Sequence, residues 1–139
     1  MKLDQKALVR AALEARGAAY APYSRYLVGA ALLCGDGEVI TGCNVENAAY
    51  GVSCCAERTA LFAAVARGRR SFLALAVAGG AREEALPLGD YAHPCGICRQ
   101  ALYEFAPGMT VLVARSEEDW RAYTLEELLP QGFGPANLK

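Results

Sequence analysis

Two short motifs restrict this chain more than any other feature. Cys55-Ala56-Glu57 and Pro94-Cys95-Gly96-Ile97-Cys98 each fall where a helix is predicted to begin. Cys95 and Cys98 stand three apart, so in a first helical turn both sulfurs lie on one face and can share an ion. A helix N-terminus favours thiolate over thiol, and the thiolate is the form that binds metal. That pair alone reads as well for a redox dithiol. A third cysteine with a carboxylate two residues beyond it shifts the balance. Three protein ligands leave a fourth tetrahedral position for water, as in catalytic zinc sites, and a nearby Glu that is not a ligand can then move a proton. The fold must therefore bring two distant helix starts side by side.

At 139 residues the chain is expected to form one domain, 1–139, with a sizeable core. Its 14 Lys and Arg against 15 Asp and Glu give a net charge of -1, which argues against nucleic acid as a partner. The one basic run, Arg67-Gly68-Arg69-Arg70, follows a helical stretch and complements its C-terminal end. Apolar stretches such as Phe72 to Ala78 fall far short of the roughly 20 residues of a bilayer helix, so no membrane partner is expected. Met1 to Lys6 carry no apolar segment of the signal-peptide kind, which makes the cytoplasm the expected location. Cysteines there are seldom paired, so metal binding or catalysis is the first question for the six present. Cys34, Cys43 and Cys54 read as small buried or half-buried thiols.

Apolar positions at Ala7, Leu8, Ala11, Ala12 and Ala15 predict a first helix over residues 4–16, with Asp4 as N-cap and Gly17 as the stop. Tyr26 to Cys34 and Glu38 to Asn44 predict a hairpin around Gly35-Asp36-Gly37. Ala56 to Arg67 form the second helix, ending at Gly68. Ser71 to Val77 read as a buried strand, and Gly79 to Tyr91 as an exposed, mobile loop. Pro94 opens a helix that runs through Cys95 to Phe105. Met109 to Ala114 and a short Trp120 to Tyr123 complete the strands, and Thr124 with Glu127 makes a capping box. Strand and helix alternate, which predicts an α/β class with a crossover unit, helices on both faces and a sheet made mixed by the hairpin.

Cys55-Ala56-Glu57-Arg58-Thr59-Ala60-Leu61, taken with Pro94-Cys95-Gly96-Ile97-Cys98-Arg99-Gln100, resembles the motif pair of the homotetrameric zinc-dependent cytidine deaminases. Ala21-Pro22-Tyr23-Ser24, Val28-Gly29-Ala30-Ala31-Leu32, Gly42 through Tyr50 and Glu127-Leu128-Leu129-Pro130 also resemble family segments, so the likeness covers nearly the whole chain. It implies a three-layer α/β/α sandwich with a mixed sheet of about five strands. It also implies one zinc ion per subunit on Cys55, Cys95 and Cys98, with Glu57 as proton shuttle. The reaction implied is hydrolytic deamination of cytidine and deoxycytidine to uridine and deoxyuridine with release of ammonia, in pyrimidine salvage, by a homotetramer with composite active sites.

By the same resemblance Asn44 and Glu46 match a ribose-binding pair; as alternate strand residues they would point the same way. The Ala56 backbone would meet the base edge. Tyr26 stands in the pocket where most relatives have Phe, which leaves the sugar preference open. Phe133 matches an aromatic that reaches a neighbouring subunit's site. Zinc on three thiolates carries a net negative charge, which raises the pKa of its water; Arg58, beside the cluster, could donate to a sulfur and offset this. Without the resemblance Phe133 reads as a core aromatic; the alternatives to the roles above are a solvent-facing arginine for Arg58 and a solvated strand end for Asn44 with Glu46. His93, the sole histidine, reads as a loop residue where relatives usually have Ser.

Two rival readings remain. A deaminase of an aminonucleoside antibiotic such as blasticidin S shares the metal motifs, although Asn44-Val45-Glu46-Asn47 matches the ribonucleoside enzymes better. A structural zinc or redox module would need a fourth protein ligand and give Glu57 no role.

Overall fold

The computed structural model describes residues 3–138. Asp4 caps α1 (Gln5–Ala15) as expected, its side chain accepting from the Ala7 N–H at 3.0 Å. Leu8, Val9 and Ala12 are the helix's buried stripe. Gly17 does not stop the helix in a left-handed conformation; the chain instead tightens into a 3₁₀ turn over Arg16–Ala18. The predicted hairpin is β1 (Tyr26–Cys34) and β2 (Val39–Cys43), and Gly37, at φ 93, supplies the turn. Then follow α2 (Ala56–Ala66), which ends with Gly68 at φ 87, and β3 (Phe72–Ala81). The chain finishes with α3 (Gly96–Tyr103), β4 (Thr110–Ser116), β5 (Asp119–Thr124) and the single turn α4 (Leu125–Leu128).

The five strands lie in the order β2-β1-β3-β4-β5. Only β3 and β4 pair in parallel, and α3 makes the crossover between them; the other pairs are antiparallel. Side chains alternate across the pleat, so β1 sends Ala31 and Leu33 to one face and Ala30 and Leu32 to the other. The first face packs on α1 with Ala74, Ala76 and Leu112. The second packs beneath α2 and α3 with Leu75, Val77, Val111 and Val113. The inner strands are covered on both sides and accordingly read as unbroken apolar runs. This is the expected three-layer α/β/α sandwich with a mixed five-stranded sheet. Among the described residues no helix is long and apolar enough to cross a membrane.

Five local expectations are corrected. β3 continues to Ala81, so Gly79 and Gly80 belong to the sheet and are buried rather than looped. They are glycines because Tyr26 and Ala92 press on the first and Leu88 on the second. The connection that follows is largely exposed, as predicted, but Leu88 within it is fully buried in the α1-side core. Pro94 lies one residue before the N-cap Cys95 instead of at the first helical position, and α3 ends two residues before Phe105. β5 is a full edge strand paired along β4, not a short one.

Candidate active site

β2 and β3 both run antiparallel to β1, so their C-terminal ends lie at the same edge of the sheet. Each leads into a helix that starts there, α2 after β2 and α3 after β3. That topology is why two motifs distant in sequence meet. The N-cap residues of α2 and α3 are Cys55 and Cys95, and neither makes a side-chain capping bond. Positions that usually hold Ser, Asp or Asn thus present sulfur.

The Cys55 and Cys95 sulfurs stand 3.7 Å apart, and the sulfurs of Cys55, Cys95 and Cys98 all lie within 4.8 Å of one another. Two thiolates on one tetrahedral zinc, with bonds of about 2.3 Å, are separated by about 3.8 Å, so this donor set fits that ion. Among the described residues no further Cys, His, Asp or Glu joins the cluster. A three-sulfur set leaves one corner of the tetrahedron free, as a catalytic site requires and a structural one does not. His93 is not part of it.

Arg58 donates from Nη2 to the Cys55 sulfur at 3.4 Å, the contact expected of it, while its Nε is buried with no partner among the described residues. Contact with the Cys98 thiol, helped by Arg58 and Cys95, holds the Cys55 thiol down at about 5. The same contact and burial push Cys98 well above the usual thiol range. Glu57 is 4 % exposed and is the one buried charged side chain among the described residues. Burial pushes its carboxyl up to about 7, which suits a group that must both take and give a proton near neutrality.

These groups open into a cleft of about 390 Å³ that Cys55, Glu57 and Cys95 share with Tyr26, Asn44 and Glu46. That size suits a small molecule. Asn44 and Glu46 lie beyond β2, which ends at Cys43, so strand alternation is not what aims them. Asn44 is set by β1: its Oδ1 accepts from the Val28 N–H and its Nδ2 donates to the Tyr26 carbonyl, each at 2.8 Å. Glu46 Oε1 accepts from the N–H groups of Tyr23 and Ser24 at 3.0 and 3.1 Å, and its Oε2 from the Ser24 hydroxyl. Ala56 is fully buried in the first turn of α2. Phe133 is neither core nor part of its own chain's cleft: it is 58 % exposed, and its carbonyl accepts from Gln100 Nε2 at 2.8 Å. Cys34, Cys43 and Cys54 are unpaired, the first buried and the others half-buried.

Two residues escaped the sequence reading. Gly42 lies beneath α2, where a Cβ would stand 2.4 Å from the Ala60 nitrogen and 2.6 Å from the Ala56 carbonyl oxygen. Only its lack of a side chain lets the helix that carries Cys55 and Glu57 sit so low. A glycine inside a strand pattern is the available signal for such a close approach. His93, read as an ordinary loop residue, lines the cleft.

Comparison with known proteins agrees with this geometry. Residues 1–114 match the family model described as the cytidine and deoxycytidylate deaminase zinc-binding region. The cytidine deaminase of Halalkalibacterium halodurans is 46% identical over 132 residues, covering 94% of this chain and 95% of that protein. The cytidine deaminase of Sporosarcina psychrophila is 43% identical over 137 residues, covering 98% and 96%. The crystal structure of cytidine deaminase from Burkholderia pseudomallei superposes with a TM-score of 0.85 at 46% identity, covering 94% of this chain and all of that one. That from Mycobacterium tuberculosis gives 0.79 at 40% identity, covering 96% and 99%. Three converging sulfurs beside a cleft lined by a buried glutamate, with a likeness to these relatives along nearly the whole chain, place it in the zinc-dependent cytidine deaminase family, whose reaction is the hydrolytic deamination of cytidine.

Proposed function

We propose that residues 1–139 act as one domain that deaminates free cytidine and deoxycytidine, within cytoplasmic pyrimidine salvage, with Glu57 as the proton shuttle. The observation that carries this reading is the buried Glu57, which lines the same cleft as Cys55 and Cys95, two of the three clustered cysteines. Zinc on Cys55, Cys95 and Cys98 supplies the Lewis acidity that makes a water nucleophilic near neutral pH. Glu57 takes a proton from the attacking water and delivers it to N3 of the pyrimidine. The water oxygen bonds C4 as N3 gains that proton, which makes C4 tetrahedral; Glu57 then moves the second water proton from the new C4 hydroxyl to the C4 amino group, and the bond from C4 to this exocyclic nitrogen breaks, releasing ammonia and leaving the C4 carbonyl. The backbone at Ala56, in the first turn of α2 where N–H groups have no intrahelical acceptor, would meet the base edge.

Asn44 and Glu46 would hold the sugar. Each is fixed by β1 or by the 23–24 segment, yet the Asn44 amide keeps one donor and Glu46 keeps free lone pairs for hydroxyl groups. Tyr26 would border the nucleoside on the β1 side. Arg58, through its bond to the Cys55 sulfur, would draw charge from the thiolates and keep the nucleophilic water acidic. The assembly we propose is a homotetramer. Phe133, exposed and outside its own cleft, would complete that of a neighbour, where a ring can stack on the pyrimidine. A free nucleoside is favoured over a nucleic-acid strand because the net charge of -1 supplies no cationic channel.

Ultraviolet loss of the pyrimidine chromophore, run alongside zinc analysis, tests the proposal with cytidine, deoxycytidine and blasticidin S offered separately. Both nucleosides should be consumed. Turnover of the antibiotic alone would refute the assignment.

A further inference from the structure

β5 reaches the cleft through a chain of side-chain contacts. Tyr123, on that strand, places its hydroxyl 2.9 Å from His93 Nε2, and the two rings meet edge to face with centroids 5.3 Å apart. His93 Nδ1 lies 3.0 Å from the Tyr91 carbonyl oxygen. A carbonyl can only accept, so Nδ1 carries a proton, and in the neutral ring Nε2 then accepts from the Tyr123 hydroxyl. Tyr91 is held in turn by the same strand: its hydroxyl donates to Asp119 at 2.6 Å, and the Arg121 guanidinium lies over its ring at 4.0 Å. On the other side of His93, Pro94 is fully buried and its carbonyl accepts from Arg99 Nε at 2.7 Å.

An exposed imidazole usually bonds water and keeps its rotamers; this one is fixed at both nitrogens, at a cost in side-chain entropy. It also lines the cleft, with Ala92, beside Cys55, Glu57 and Cys95. We infer that His93, clamped between Tyr91 and Tyr123, is a positioning residue for the deamination: it holds the cleft-facing segment from Ala92 to Cys95 against β5 and thereby sets where the reacting edge of the base meets Glu57. This rests on the deamination reading of the cleft. Loop segments hold site geometry less well than strands, and the clamp lends the 91–95 loop the rigidity of the sheet. Asn44 and Glu46 are fixed separately, by β1 and the 23–24 segment, so loosening the clamp should disturb chemistry and leave sugar binding intact.

The test compares the zinc-loaded parent chain with His93→Ala, His93→Gln and Tyr123→Phe by steady-state cytidine turnover, with zinc measured on each preparation. His93→Ala should lose about tenfold to a hundredfold in kcat, as a site displaced by about 1 Å does, with KM nearly unchanged and zinc equal to the parent's. Tyr123→Phe, a change that removes one oxygen, should lose kcat in the same direction, and adding it to His93→Ala should cost nothing more. His93→Gln, whose Oε1 can accept from Tyr123, should recover most of the loss. Unchanged kcat in His93→Ala, a loss carried by KM or by missing zinc, additive losses in the double variant, or no recovery with Gln overturns the inference. A parent chain that leaves cytidine intact overturns the deamination reading instead.

Discussion

Gly42→Ala puts a single methyl group under the metal-bearing helix. Ordinary contact for a Cβ begins at 3.4 Å, whereas the built atom lies 2.4 Å from the Ala60 nitrogen and from the Thr59 hydroxyl oxygen. The hydroxyl can swing aside, but the Ala60 nitrogen belongs to the backbone of α2, so the first turns of that helix must rise by about 1 Å. Overpacking of this kind costs about 1–3 kcal/mol, or roughly 4–12 °C of melting temperature for a chain of this length. The same shift moves Cys55 away from Cys95 and Glu57 away from the cleft, and about 1 Å of misplacement costs about a hundredfold in rate. Differential scanning calorimetry, zinc analysis and cytidine kinetics on one preparation should show all three effects together. Gly51→Ala, at a glycine with nothing within 4 Å, is the control and should change none of them. A Gly42→Ala chain with the parent's melting temperature and turnover would refute the claim that β2 sets the height of α2.

Removing the Arg58 side chain leaves the Cys55 sulfur without its donor; Arg58→Ala should cost about tenfold to a hundredfold in zinc affinity or turnover, read by competition with a chromophoric chelator. A strong chelator should lower the melting temperature of the parent but not of Cys98→Ala, since an ion present at about a thousand times its dissociation constant stabilises the folded state by about 4 kcal/mol. Asp4→Ala breaks the cap of α1 on the far face of the sheet, and should cost about 1 kcal/mol in thermal unfolding with kcat unchanged.

The parts of the molecule that were legible beforehand are those in which local chemistry and final structure ask for the same residue. Cys55 and Cys95 announce themselves because a metal needs sulfur, and they open the helices they were expected to open. Thr124 and Glu127 form their capping box, in which each side chain bonds the other residue's backbone, through neighbours in sequence alone. The misreadings arise where a distant segment decides. Gly79 and Gly80 look like a turn, yet they are small because Tyr26, Ala92 and Leu88 crowd the end of β3. Leu88 looks like part of an exposed loop until its N–H is seen donating to the Arg115 carbonyl at 2.8 Å and Arg115 Nε donating back at 2.6 Å. In sequence Asn44 looks aimed by strand alternation, whereas two bonds to β1 aim it. His93 shows no role in sequence because its partner Tyr123 lies on a strand thirty residues away.

Glu57→Gln tests the account at its centre, because the change keeps the side chain's size and removes only its ability to carry a proton. Cytidine turnover should be measured on this variant and on the parent at matched zinc content. One zinc per chain is expected in both, with a rate lower by about 10²–10⁴-fold in the variant. Turnover equal to the parent's at equal zinc would contradict it.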